Sequence, residues 1–149
     1  MTPMQQMFLG LGAKKKVYLD DVFSNYLYTG DGTSTRTITN GIDLAGEGGL
    51  VWVKCRTNTY SNVLYDTVRG AGISKSLISD MTAVEGNYST LTNISSFNNN
   101  GFTIGSTSST NILNDSNQDF TSWTFRKQKG FCDIVTYTGT GSALTINHN

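Results

Sequence analysis

Short turn signals interrupt this sequence along most of its length, and they limit the elements that can form between them. Glycine, asparagine and aspartate cluster in six strings: TGDGT (29–33), AGEGG (45–49), VRGAG (68–72), NNNG (98–101), NDSNQD (114–119) and KQKG (127–130). These residue types favour tight turns, because they tolerate positive φ or bond their own backbone. The spacing suits short strands and leaves little room for long helices.

Alternating side chains indicate strands between these turns. In LVWVKCR (50–56), Val51 and Val53 share one face and Trp52 and Lys54 share the other, which is the period of a half-buried strand. Three further segments alternate in the same way: 61–68, 120–127 and 131–138. The chain is therefore predicted to be an all-β antiparallel sandwich. Its predicted core includes Val51, Val53, either Ile134 or Cys132, and either Phe125 or Trp123.

Size and charge narrow the classes of function. A chain of 149 residues is long enough for one domain with a core that needs no metal or disulfide. Its 11 basic and 11 acidic side chains balance, so nothing attracts a nucleic-acid backbone or an anionic membrane. No apolar run approaches the roughly twenty residues that cross a bilayer. We expect neither nucleic acid nor a membrane as a partner.

The two cysteines, Cys55 and Cys132, lie in different strand-like segments and show no CxxC or Cys/His spacing. The spacing therefore indicates neither a zinc site nor a disulfide framework. We expect free, buried thiols in a protein made in a reducing cytoplasm.

Catalytic motifs are scarce. The one histidine, His148, is the second-to-last residue, which argues against Ser-His-Asp and Cys-His nucleophile arrangements. The sequence has no HExxH, no P-loop and no GxGxxG after a strand. Paired carboxylates stay conceivable, since several acids are present, but nothing distinguishes any pair of them. The chain is predicted not to be an enzyme and to carry no cofactor.

Two groups of residues are candidates for ligand binding. Asp115, Asn117 and Asp119 stand at alternate positions, as in oxygen-rich calcium loops, although a polar turn between strands is the preferred interpretation. Trp52, Tyr60 and Trp123 could stack against sugars, but aromatic side chains on strands more often belong to the core. Separately, Asp66 and Arg69 are predicted to pair across a turn, with the guanidinium also bonding backbone carbonyls.

An internal repeat relates the two ends of the chain. The string YTGDG (28–32) corresponds to YTGTG (137–141), and each is followed by a Thr-Ile pair. Both copies are predicted to be hairpins. We therefore expect residues 14–130 to form the sandwich, and 131–149 to open a second, truncated module or to be the last hairpin of the sandwich.

An apolar stripe lies at the N-terminus. Met4, Met7, Phe8 and Leu11 have helical spacing, but residues 1–13 are too short and too rich in glycine to fold alone. Methionine adapts to irregular partner surfaces. Residues 1–13 are predicted to be a docking arm.

Four longer strings carry a family resemblance: GIDLAGEGGLVWVKCRTN, LYDTVRGAG, FNNNGFTIGS and SWTFRKQKGFCDIVTYTGTG. In this order they resemble a module of bacteriophage virion and tail-fibre proteins, especially from phages of marine bacteria. The resemblance runs from about residue 17 to 149 and is most specific in GEGGLVW, DTVRG and SWTFRK.

The resemblance implies a jelly-roll or concanavalin-like sandwich, a fold that hosts lectins, enzymes and structural modules alike. It implies the N-terminal part of a tail fibre or appendage, located in the virion and made in the host's cytoplasm. The implied partners are other tail proteins and sister copies in a homotrimer. The alternative is a lectin-like module that binds host surface glycans.

Overall fold

The computed structural model describes residues 16–86, 92–106 and 111–148. One short helix, α1, precedes eight strands. Their bounds are α1 Leu19–Val22, β1 Phe23–Thr29, β2 Thr35–Thr39, β3 Gly49–Cys55, β4 Val63–Asp66, β5 Leu77–Ile78, β6 Asn93–Asn98, β7 Gly101–Gly105 and β8 Asp119–Arg126. With 37% strand and 3% helix, the structure confirms the all-β prediction.

The strands form two antiparallel sheets that pack together, which confirms the predicted sandwich. The larger sheet has the order β1-β8-β3-β4-β5, and the smaller has the order β2-β7-β6. β8 is the last strand of the described chain, yet it lies between β1 and β3. The fold therefore depends on pairings between strands that are distant in sequence.

Strand β3 has the alternating burial that the sequence predicted. Val51, Val53 and Cys55 are buried, while Trp52 and Lys54 on the opposite side are half-buried. Because β3 pairs with both β4 and β8, its backbone is satisfied on both edges and only its two faces differ. The predicted burial of Val51 and Val53 is confirmed.

The core lies between the inner faces of the two sheets. The larger sheet contributes Tyr28, Val51, Val53, Tyr65 and Phe120, and the smaller contributes Ile38, Ile94, Phe102 and Ile104. The rings of Tyr28 and Phe120 stack with centroids 5.2 Å apart. Full burial of one such side chain contributes about 1.5–3 kcal/mol.

The predicted core face of β8 was wrong. Trp123 and Phe125 are half-buried on the outer side, and Phe120, Ser122 and Thr124 face inward. Two contacts stabilise this orientation of β8. Phe120 stacks on Tyr28, and Thr124 Oγ1 accepts a hydrogen bond from the Asn40 amide at 2.8 Å. The inward polar side chains are small enough to fit between closely packed sheets.

The first predicted hairpin does not form either. β1 pairs with β8 in the larger sheet, whereas β2 pairs with β7 in the smaller one. The loop after β1 is held by residues 111–118, because Gly30 N donates to Gln118 O at 2.7 Å and Gly32 N donates to Asn114 O at 3.0 Å. Residues 30–34 therefore connect β1 in the larger sheet to β2 in the smaller sheet.

Residues 131–148 contain no strand, so the strand predicted at 131–138 and the second hairpin were wrong. One isolated bridge joins Gln128 to Cys132, and most of the segment is exposed with no neighbouring strand to pair with. Neither Ile134 nor Cys132 is fully buried, in contrast to the prediction. The division of the chain at residue 130 into two modules stays a prediction.

Candidate functional site

The outer face of the larger sheet is the most distinctive surface of the described chain. Residues opposite each other in antiparallel strands project to the same side, so the register identifies the outward side chains. One row runs across five strands in the order Asn25, Trp123, Trp52, Leu64, Leu77. We define the apolar face as Phe23, Leu27, Leu50, Trp52, Leu64, Leu77, Trp123 and Phe125.

Aromatic rings pack against each other along the centre of the apolar face. The Trp52 and Trp123 centroids are 5.3 Å apart at an interplanar angle of 55°, and Phe23 and Phe125 are 5.1 Å apart at 47°. Phe131 approaches Phe125 at 6.4 Å from beyond the sheet. Tilted pairs of this kind contribute about 0.5–1.5 kcal/mol beyond area burial. The rings are thus held in place before any partner arrives.

Two polar side chains on this side of the sheet, Thr121 and Lys54, are bonded within the chain. Thr121 Oγ1 donates to Asn25 Oδ1 at 2.8 Å, and Lys54 Nζ donates to the carbonyl oxygen of Tyr60 at 2.7 Å. Asp66, opposite Leu50, is buried. The centre of the apolar face therefore carries no free charge.

The outer face of the smaller sheet is different in character. Thr37 Oγ1 and Thr103 Oγ1 are 3.2 Å apart, and Asn98 Nδ2 donates to Thr103 Oγ1 at 3.0 Å. Ser95 Oγ donates to the carbonyl oxygen of Thr103 at 3.2 Å. The outer face of the smaller sheet is therefore polar, in contrast to the apolar face of the larger sheet.

The structure brings two of the three sugar-stacking candidates together. Trp52 and Trp123 are cross-strand neighbours, but the Tyr60 hydroxyl donates to Asp115 Oδ2 at 2.7 Å. This hydrogen bond, together with burial, raises the pKa of Tyr60 to about 12. Trp52 Nε1 is buried and has no hydrogen-bond partner among the described residues, so it is not presented to a ligand. Tyr60 therefore bonds to Asp115 and does not add a third ring to the tryptophan pair.

The calcium candidates do not converge on a common point. Asp115 binds Tyr60, Asp119 Oδ1 accepts from Thr29 Oγ1 at 2.8 Å, and Asn117 has a left-handed φ of 58° that suits a turn. Within the described ranges no three His, Cys, Asp or Glu side chains are grouped as a metal site. These contacts support the interpretation as a polar turn.

A polar cluster that sequence reasoning missed joins the loop after β1 to residues 111–118. The Arg36 guanidinium donates to the Asn114 side-chain oxygen at 2.9 Å and lies 3.6 Å from the Asp31 carboxylate. Asn114 Nδ2 donates to Asp31 Oδ1 at 2.6 Å. Hydrogen bonding from Thr33 is the main cause that lowers the pKa of Asp31 to about 2. Asn114 lies 78 positions from Arg36 and 83 from Asp31, so the spacing of residues in the sequence did not predict this cluster.

The predicted ion pair between Asp66 and Arg69 is present. Arg69 Nε donates to Asp66 Oδ2 at 2.6 Å, and Arg69 Nη2 contacts the same oxygen. Asp66 Oδ1 accepts from the backbone N–H groups of Val68 and Arg69 at 3.0 and 2.9 Å. Among the described residues Arg69 Nη1 is buried without a partner, so this nitrogen makes none of the bonds to backbone carbonyls that were predicted for the guanidinium. The pair closes the turn after β4.

An open cleft of about 270 Å³ lies beside the β8 end, lined by Glu47, Lys127, Gln128, Lys129, Cys132 and Asp133. Lys127 Nζ and Asp133 Oδ1 form an ion pair at 3.2 Å. Burial raises the pKa of the half-buried Cys132 thiol, which disfavours the reactive thiolate. Cys55 is buried, and both cysteines are free, as the sequence predicted.

These features define a β-sandwich module whose larger sheet has an apolar outer face. The chain belongs to a family described as a domain of unknown function (DUF7483), whose model matches residues 20–149. No curated protein and no solved structure matches the chain. No helix in the described part of the chain is long and apolar enough to span a membrane.

Proposed function

We propose that this chain is a structural module of a bacteriophage virion, the N-terminal part of a tail fibre or related appendage. In this role it binds neighbouring proteins of the particle and performs no catalysis. The resemblance to bacteriophage virion and tail-fibre modules supports the proposed location in a virion. The apolar face is the single observation that supports the mode of action.

The apolar face suits a partner surface that is itself apolar and uncharged. Leu27, Leu64 and Leu77 surround the packed tryptophans, and Leu27 is 59% exposed. Removing such side chains from water contributes about 25 cal/mol per Å² of apolar area. Lys54 and Thr121 on this side are already bonded within the chain, so a docking protein does not leave these two side chains unsatisfied.

Incorporation into particles tests this function. Leu64→Glu places a charge directly beside Trp52, the centre of the row, and Leu77→Glu places one at the end of the row. Thr37→Glu on the polar outer face is the matched control. We expect both leucine variants to reduce the amount of chain in purified particles at least about tenfold, and the control to be incorporated normally.

Folding of each purified variant is checked by circular dichroism. If Leu64→Glu does not fold, the peripheral Leu77→Glu variant still gives the answer. Normal incorporation of a folded leucine variant, or a chain that is absent from wild-type particles, would overturn the proposal.

Glycan binding is the second candidate function, and the cross-strand tryptophan pair is the observation that favours it. Two half-buried indole rings on one sheet face can stack against the apolar side of a sugar. Trp52 Nε1 is buried and the Tyr60 hydroxyl is bonded to Asp115, so neither group is offered to a sugar, which favours weak binding. Saturable binding on a glycan array that disappears in Trp52→Ala would place this function first.

The docking arm, with Met4, Met7, Phe8 and Leu11, lies outside the described residues. Its role and the homotrimer stay predictions.

A further inference from the structure

Residues 131–148, which we call the C-terminal segment, repeat the sequence of β1, β2 and the loop between them. Both copies share a tyrosine, two glycines and a Thr-Ile pair. These are Tyr28, Gly30, Gly32 and Thr37-Ile38 in the first copy, and Tyr137, Gly139, Gly141 and Thr145-Ile146 in the second. The backbone also agrees at the second glycine, since φ is 70° at Gly32 and 74° at Gly141. The repeat thus extends from the sequence to a local backbone conformation that favours glycine.

The two copies differ in burial. Tyr28 is 7% exposed, whereas Tyr137 is 68% exposed. Ile38 is fully buried, whereas Ile146 is half-buried. Side chains that complete the core in the first copy are therefore left largely in water in the second.

The first copy is buried because one strand and one loop receive it. Its strand β1 pairs with β8, and the Tyr28 hydroxyl donates to Leu113 O at 2.7 Å. Gly30 N donates to Gln118 O at 2.7 Å. We call β8 together with residues 111–118 the acceptor. The first copy fills this acceptor, since β8 has β1 on one edge and β3 on the other, so the second copy has no place on it.

Gly139 indicates that the second copy also docks on an acceptor. A Cβ at Gly30 would overlap the backbone carbonyl of Asp115, so close packing against the acceptor requires glycine there. A Cβ at Gly139 meets nothing within 4 Å, and Gly139 does not have a positive φ. The described part of this chain therefore gives no reason for glycine at position 139, whereas docking on a second acceptor would give one.

We propose that the C-terminal segment docks on the acceptor of another module of this family, where it takes the place that the first copy has here. Tyr137 then donates to a backbone carbonyl, as Tyr28 does to Leu113 O, and Gly139 lies against the backbone. Main-chain pairing with a strand like β8 supplies affinity, and the tyrosine and glycine supply specificity. The partner is a module of the same family because the repeat retains the residues that contact the acceptor in this chain.

This inference does not rest on the virion assignment, because it is tested on purified polypeptides. Docking of the C-terminal segment and incorporation into particles are measured separately.

A fusion tests the docking directly. Residues 42–130 of this chain are attached after Asn149, so that the C-terminal segment precedes a second acceptor in the order that the first copy has. Hydrogen exchange of the C-terminal amides should be at least about tenfold slower in the fusion than in the chain alone. Gly139→Ala should remove most of this protection. Thr140→Ala, at the exposed position next to it, is the matched control and should retain it.

Three results of this experiment would overturn the proposal. They are an unprotected C-terminal segment in the fusion, protection that survives Gly139→Ala, and equal protection in the chain without the added residues.

A graft is a second test that does not depend on the folding of added residues. Residues 28–38 of the full chain are replaced by the sequence of residues 137–146. The grafted chain should unfold in one cooperative transition, and Gly139→Ala within the graft should lower its melting temperature by about 10 °C. The same substitution at its native position should change the melting temperature by less than about 2 °C. A grafted chain that does not fold, or that tolerates this alanine, would contradict the equivalence of the two copies.

Discussion

Trp52 lies directly opposite Trp123 in the β3–β8 pair, with ring centroids 5.3 Å apart on the outer side of the sheet. The two rings cover each other, so each depends on the other for part of its burial. The contributions of the two rings to the free energy of unfolding should therefore be coupled, and this coupling can be measured without any ligand.

A double-mutant cycle measures the coupling between the two indoles. Trp52→Ala and Trp123→Ala should each lower the free energy of unfolding by about 2 kcal/mol, since both rings are half-buried. Urea unfolding of the two single variants and the double variant should show a coupling of about 0.5–1.5 kcal/mol. Strict additivity would mean that the rings do not support each other.

The two faces of β8 should respond very differently to truncation. Phe120→Ala removes a fully buried ring that stacks on Tyr28 and should cost about 3–5 kcal/mol. Phe125→Ala, five residues away on the same strand but half-buried on the outer face, should cost less than half as much. A larger loss for Phe125→Ala, measured by the same unfolding experiment, would reverse the assignment of the inner face.

The sequence predicted β3 well because its two faces differ in chemistry, with Val51 and Val53 opposite Trp52 and Lys54. It failed at β8, because Ser122 and Thr124 suggest a surface while Trp123 and Phe125 suggest a core. Side-chain chemistry alone does not show that a central strand packs small polar groups inward and leaves aromatic rings on an outer face.

Pairing partners were harder to predict than strands. The hairpin expected after Tyr28 was wrong, because the glycine turn docks on residues 111–118 and carries β2 into the other sheet. The site was predicted in part: Trp52 and Trp123 were named, but their role as centre of an apolar face depends on the strand order. That order brings together strands far apart in the chain, which local patterns do not encode.

Close backbone packing at Gly30 should make this position intolerant of any side chain. A Cβ there would overlap the carbonyl oxygen of Asp115, and Gly30 N also donates to Gln118 O at 2.7 Å. Gly30→Ala should therefore cost about 3 kcal/mol, because backbone would have to move. Gly139→Ala is the control, since a Cβ there meets nothing within 4 Å. Equal thermal stability of the two variants would refute the close contact.

Acid should weaken the Asp31 cluster in a defined range of pH. Hydrogen bonds from Thr33, with smaller effects of Asn114 and Arg36, lower the pKa of Asp31 to about 2 from its usual value of 3.8. Because the folded state favours the carboxylate, this contribution is complete above about pH 4 and is lost as the pH falls through 2. The wild type should melt at a higher temperature than Asp31→Asn at pH 6, and the gap should close near pH 2. A gap that is independent of pH would contradict the ionised role of Asp31.

Quantitative mass spectrometry of intact purified phage particles tests the proposed structural role most directly. If the chain is part of a tail fibre or related appendage, its peptides should be present at a fixed copy number per particle, comparable with that of other tail components. Complete absence of these peptides from infectious particles that carry the gene would contradict a structural role in the virion.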